Sequence, residues 1–135
     1  EEMAEKLGLE PLAEIVDFCF TGRDAVSMGL GPVEAVRELL IANGLTVDEI
    51  DRWELNEAFS HQVLSVIKCL AINPNKVNSN GGGISLSHPL GMTGARIIAA
   101  AAWELALNGG NYAVASLCVG GGMAGAVLIK PYTKN

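Results

Sequence analysis

Acidic residues are almost missing from the second part of this 135-residue sequence. Residues 1–57 hold fourteen acids and four bases, a balance of −10, whereas residues 58–135 hold one acid, Glu104, and five bases, a balance of +4; together they make the overall −6. Chemistry by paired carboxylates therefore has little basis in the second part. A net negative charge also argues against nucleic acid or an anionic membrane as the main partner. Cysteine is scarce as well. Cys19, Cys69 and Cys118 are an odd count without C-x-x-C spacing. That argues against a disulfide framework or a zinc site and leaves reduced thiols in an intracellular protein as the expectation. No apolar run of about 18 residues exists, so no membrane span is expected. The chain opens on a charged stretch, Glu1 to Lys6, rather than on a signal peptide. It also opens without Met, which points to a trimmed piece of a longer protein.

What is present is apolar. Hydrophobic residues make up 50% and charged residues 18%, enough to bury one real core in one domain. Leu12–Phe20 reads as a buried strand. Gly29-Leu30-Gly31-Pro32 breaks the chain, and Pro32 suits the first turn of a helix whose apolar face is Val33, Val36, Leu39 and Leu40. Asn43-Gly44 ends that helix, and Thr46 to Glu49 has the capping-box pattern of a short turn. Arg52–Leu55 reads as a short strand. The helical repeat of Phe59, Val63, Val66, Ile67 and Leu70 predicts a helix over 58–70. A glycine-rich loop follows from Asn78 to Ser87, then a long helix from about Pro89 to Asn108. Strands over 112–119 and 124–129 flank the turn Gly120-Gly121-Gly122. Strands separated by helices predict an α/β domain whose mostly parallel sheet is covered on both faces, with the last two strands a hairpin at one edge.

Four stretches near the predicted strand ends could carry chemistry, since sites in open α/β sheets gather there. The run from Asn78 to Arg96 lacks the lysine of a P-loop, so phosphate binding is a poor reading. His88 sits just before a helix start, whose positive end disfavours imidazolium and keeps the ring neutral, as a base requires. The plainer reading is a histidine that only caps the helix. Gly120, Gly122 and Gly125 formally match G-x-G-x-x-G, but a strand follows and no acidic residue stands about 20 positions on, so a dinucleotide site is rejected. Instead Cys118 ends a strand beside backbone N–H groups able to polarise a carbonyl; the plainer reading is an inert thiol before a turn. Asn56-Glu57-Ala58-Phe59 marks a strand-to-helix junction where Asn56 is either an ordinary N-cap or a holder of water or a ligand oxygen, and Glu57 anchors the local network. Met28 to Pro32 is most simply a turn. Cys19 and Cys69 read as packing, His61 as a surface or core residue, and Trp53 and Trp103 as core or interface anchors.

Taken together, Asn-Glu-Ala-Phe at 56–59, the Asn-Gly-Gly…His-Pro…Gly…Gly-Ala-Arg run at 78–96 and Cys-x-Gly-Gly-Gly at 118–122 resemble the thiolase family, the acetyl-CoA acetyltransferases and 3-ketoacyl-CoA thiolases. The resemblance spans residues 1–135 as one C-terminal domain, the C-terminal half of such an enzyme. It implies a three-layer α/β/α fold with a five-stranded, mostly parallel sheet and an antiparallel edge pair. It also implies acyl transfer between CoA thiols, either thiolytic cleavage of a 3-ketoacyl-CoA or condensation of two acyl-CoAs, through a nucleophilic cysteine that lies in the absent N-terminal half. By the same resemblance His88 deprotonates that nucleophile, Cys118 moves the proton at the substrate α-carbon or the attacking CoA, Asn56 holds a water completing one oxyanion hole, and the Gly120 N–H belongs to a second. Coenzyme A would be a substrate, with no tightly bound cofactor and no metal. The isolated chain would be inactive and would expose an apolar face to the missing domain. The whole enzyme would be a homodimer or homotetramer, cytoplasmic in a bacterium, or mitochondrial or peroxisomal in a eukaryote. One departure stands out: the family usually has glycine before the His-Pro pair, where this chain has Ser87, whose side chain either crowds the loop or adds a hydrogen bond to His88. Two other classes compete. A β-ketoacyl synthase relative would place a second histidine where Cys118 stands, and a non-catalytic scaffold would have no need for His88, Cys118 and Asn56 together.

Overall fold

Each element of the computed structural model, which describes residues 2–133, begins or ends on a local signal. A short helix α1 (Glu2–Leu7) precedes strand β1 (Ala13–Gly22) and a 3-10 segment (Ala25–Leu30) capped by the Asp24 carboxylate. Helix α2 (Gly31–Ala42) carries Pro32 in its first turn and stops at Asn43, followed by Gly44 at φ 64°. The capping box forms: the Glu49 carboxylate accepts from the Thr46 N–H at 2.8 Å and from its hydroxyl at 2.7 Å. Strand β2 (Arg52–Leu55), helix α3 (Ser60–Leu70), the four-residue helix α4 (Gly83–Leu86) and helix α5 (Thr93–Asn108) follow, then strands β3 (Ala113–Val119) and β4 (Met123–Pro131).

The sheet has four strands, not five, in the order β1-β4-β3-β2. Only β2 and β3 pair parallel; β4 runs antiparallel to both β3 and β1. The sheet is therefore mixed, and the antiparallel strand lies inside it rather than at an edge. The reason is the return through Gly120 to Gly122, which lays β4 beside β3 and leaves its far side for β1. Beside β2 lies one isolated parallel bridge, between Val77 and Trp53. Asn78 takes φ 48° and turns the chain away. Its carboxamide then pairs with both backbone groups of Leu55, accepting from the N–H at 2.8 Å and donating to the C=O at 2.9 Å.

Helices cover both faces, giving three layers. Alternation along the strands sends Trp53, Leu55, Val114, Ala126 and Leu128 toward α2 and α3, where they join Val36, Leu39, Val63 and Val66 in the main core. Ala113 and Ile129 point the other way, to Ala101 and Leu105 of α5. Strand β1 is not the buried strand its apolar run implies. It is an edge, and Ile15, Phe18 and Phe20 are exposed, with the two phenyl rings in an edge-to-face pair. Only Cys19 on its opposite face packs against the main core.

Candidate active site

The loop from Ser87 to Met92 sets the histidine. Helix α5 starts at Thr93, later than the sequence predicts, because residues 90–92 form a turn. The Thr93 hydroxyl donates to the Pro89 carbonyl at 3.0 Å. With its one hydrogen committed there, Thr93 Oγ1 accepts from His88 Nδ1 at 2.7 Å. In the neutral ring this leaves Nε2 as the unprotonated nitrogen, and Asn56 Nδ2 approaches it at 3.4 Å. Ser87, just before the histidine, sits at φ 73° and ψ 170°. That region is open to glycine and costs another residue about 1–3 kcal/mol. The carbonyl of Ser87 accepts from Arg96 Nη1 at 2.9 Å. Of the two readings of this serine, it is the backbone that bears the consequence.

Asn56 follows β2 and is 2% exposed. Its N–H donates to the Ser116 carbonyl at 2.9 Å, while its Oδ1 is buried with no protein partner. Glu57 ties the glycine-rich loop to this junction. Its carboxylate accepts from Ile84 N–H at 3.0 Å and from Asn78 Nδ2 at 2.8 Å. It lies so close to Gly82 that any side chain there would collide with it. Deeper in, Glu54 is 4% exposed. Burial, then the neighbouring Glu104 charge, raises its carboxyl from 4.5 to about 7, against the lowering effect of Arg96. Glu104 in turn accepts from Asn80 Nδ2 and Asn108 Nδ2 and faces Arg52 Nε at 3.6 Å.

Cys118 is the next-to-last residue of β3 and is 7% exposed. Burial pushes its thiol up, so the group is protonated at neutral pH. The turn behind it is fixed by Arg23. Its N–H donates to the Gly122 carbonyl at 2.8 Å, and Gly122, at φ 92°, lies against the Arg23 carbonyl where no Cβ would fit. The Arg23 guanidinium holds both Glu34 oxygens, at 2.9 and 2.8 Å, and the Ser27 hydroxyl at 2.9 Å. That ties the turn to the segment carrying Met28.

These elements meet at one cleft of about 390 Å³. His88, Cys118 and Gly120 line it together with Met28, Phe59 and Leu90, and Asn56 stands behind His88. The four residues singled out from the sequence are thus brought to one place. Sequence reasoning missed the part played by four others. Phe59 is not on the core face of α3: it is the extended residue before the helix, at φ −146°, and is 51% exposed at the cleft. Met28 is more than a turn residue. Thr93 and Arg96 grip the histidine loop from α5, and the only signal for them is their place in the first turn of the helix after His88. His61 is exposed and stacks on Phe59.

Comparison with known proteins agrees with this architecture. Residues 9–131 match the family model described as thiolase, C-terminal domain. The chain is 42% identical over 132 residues to an acetyl-CoA acetyltransferase of Syntrophomonas wolfei, covering 96% of this chain and 33% of that protein. It is 45% identical over 130 residues to the mitochondrial 3-ketoacyl-CoA thiolase of Bos taurus, again covering 96% and 33%. Among solved structures, human mitochondrial 3-ketoacyl-CoA thiolase in complex with CoA superposes with a TM-score of 0.93 at 44% identity, covering 98% of this chain and 34% of that one. The chain spans about a third of the length of these relatives, less than the half the sequence motifs imply. With the family model matched along nearly all of it, the chain belongs to the thiolase family, as its C-terminal domain.

Proposed function

We propose that this domain supplies the acid–base half of a thiolase, an enzyme that transfers acyl groups between CoA thiols. The observation that carries the proposal is the single cleft shared by His88, Cys118 and Gly120. The ring tautomer set by Thr93 directs Nε2 as the base. It takes the thiol proton of a cysteine supplied by the part of the enzyme outside residues 1–135. That thiolate attacks the keto carbon of a 3-ketoacyl-CoA, and the bond to the α-carbon breaks. The electron pair passes to the acetyl-CoA fragment as an enolate, and the acyl group stays on the cysteine as a thioester. Cys118, a thiol kept protonated by burial, is matched to deliver the proton that turns the enolate into acetyl-CoA. It then accepts the proton of the incoming CoA thiol, whose attack breaks the bond between acyl group and cysteine and releases the shortened acyl-CoA, while the departing cysteine thiolate takes back the proton held by His88. A water held by Asn56, together with His88, and in the second site the Gly120 N–H, stabilise the charge that develops on the two thioester oxygens. Run backwards, the same steps condense two acyl-CoAs.

The exposed outer face of α5, with Trp103 and Leu107, is the surface against which the remaining part of the enzyme packs. The whole enzyme assembles as a homodimer or homotetramer in this reading. Its relatives include a mitochondrial enzyme, and among the described residues no helix is long and apolar enough to cross a membrane. The test uses the full-length protein with acetoacetyl-CoA and a longer 3-ketoacyl-CoA, following CoA-dependent cleavage. His88→Asn is expected to lower turnover about 10²–10⁴-fold with the circular dichroism spectrum unchanged. Residues 1–135 alone should show no cleavage. Absence of cleavage by the unsubstituted full-length enzyme would overturn the proposal in favour of a non-catalytic scaffold of the same fold.

A further inference from the structure

We infer that Arg96 is a positioning residue for His88, and that it acts by holding Ser87 in a backbone conformation serine would otherwise leave. Ser87 lies at φ 73° and ψ 170°, where a Cβ is disfavoured. Such a conformation persists only when its surroundings fix it. The serine side chain does not do so: among the described residues it makes no hydrogen bond. The fixing contact is the one from Arg96 Nη1 to the Ser87 carbonyl, 2.9 Å long, across the turn between α4 and α5. Arg96 lies one turn from Thr93 on α5, and Thr93 holds His88 Nδ1. One helix therefore grips the histidine on both sides: its ring through Thr93 and its preceding peptide through Arg96. Without the guanidinium, Ser87 relaxes toward negative φ. The peptide joining it to His88 then turns, and the imidazole leaves its place beside Asn56. A glycine at position 87 would have no such drive to relax.

The two residues are coupled for that reason, and the coupling is measurable. The inference rests on the proposed function for its kinetic arm only. In the full-length enzyme, Arg96→Met should lower kcat roughly 10–100-fold with little change in KM. The same substitution made in the Ser87→Gly background should cost less than about threefold relative to that parent. A purely structural role for Arg96 would give the same loss in both backgrounds, and that result would overturn the inference. The second arm is thermal unfolding of the same four proteins. Ser87→Gly should raise the melting temperature when Arg96 is present and raise it less when Arg96 is replaced. Equal gains in both backgrounds would also overturn the inference. If the unsubstituted enzyme shows no thiolysis, the proposed function fails while the melting cycle still decides on Arg96. Where Arg96→Met does not fold, Arg96→Lys takes its place, since it keeps the positive charge near Glu54 but loses the guanidinium that reaches Ser87.

Discussion

The two faces of the sheet are built from different materials. Toward α2 and α3, sixteen buried apolar residues form one core, fifteen of them aliphatic and the other Trp53, which is 1% exposed. Toward α5, the buried apolar cluster has four members, and the space beside it holds Glu54, Glu104, Asn80 and Arg52. Helix α5 is also apolar on its outer side, where Trp103 is 51% and Leu107 is 73% exposed. Large apolar side chains left exposed on the outer side of a helix mark a face suited to packing against another surface. The first face is therefore where this domain gains its stability. The second is where α5 grips the histidine loop and, in the proposed reading, where the rest of the enzyme packs. Burying charge there costs stability, and that cost falls on the helix that carries Thr93 and Arg96.

The contrast can be broken from the core outward. Trp53→Ala removes the centre of the main core and should cost about 3–5 kcal/mol in urea denaturation. Trp103→Glu should change the unfolding of residues 1–135 by less than about 0.5 kcal/mol. It should nonetheless stop these residues from co-purifying with the preceding part of the polypeptide when the two are expressed as separate pieces. Unfolding of the domain by Trp103→Glu would show the two faces to be equivalent. Glu54 sharpens the comparison through pH. Its folded carboxyl holds a proton up to about pH 7, whereas the unfolded one releases it near 4.5, so stability falls as pH rises through that window. Glu54→Gln should abolish this fall, raising the melting temperature at pH 8 by roughly 4 °C and leaving it nearly unchanged at pH 5. Arg23→Met should also have a small effect. Its ion pair with Glu34 is half-exposed, with side chains at 24% and 42%, so the loss should be near 0.5 kcal/mol by the same denaturation.

Much of this was legible in the residues. Helix α2 carries its own start and stop in Pro32 and Asn43-Gly44, signals that depend on local backbone geometry alone. His88 was visible because it stands between a glycine-rich loop and a helix start, and Cys118 because it stands beside a glycine-rich turn near the end of a strand. What could not be read depends on distant parts of the chain. The alternation in β1 tells which side chains share a face, but not whether a layer covers them, so Phe18 and Phe20 looked buried. Phe59 continues the spacing of Val63 and Val66, yet its own extended conformation turns it out of the helix. The count of five strands comes from the family resemblance; the residues themselves read as four strand segments, which is the number the sheet has among the described residues. The grip of Arg96 on Ser87 crosses a turn and has no sequence pattern at all.

The carboxamide of Asn78 has a consequence for solubility. An open sheet edge is a template on which another chain can add a strand and begin to aggregate. By bonding both backbone groups of Leu55, Asn78 occupies the position such an intruder would take beside β2. At the opposite edge the irregular register between Ile15 and Asp17 interrupts the ladder, and the Asp17 carboxylate accepts the Phe18 N–H at 2.8 Å. A sheet guarded at both margins by its own side chains is a poor seed for strand addition, even with apolar surface still exposed.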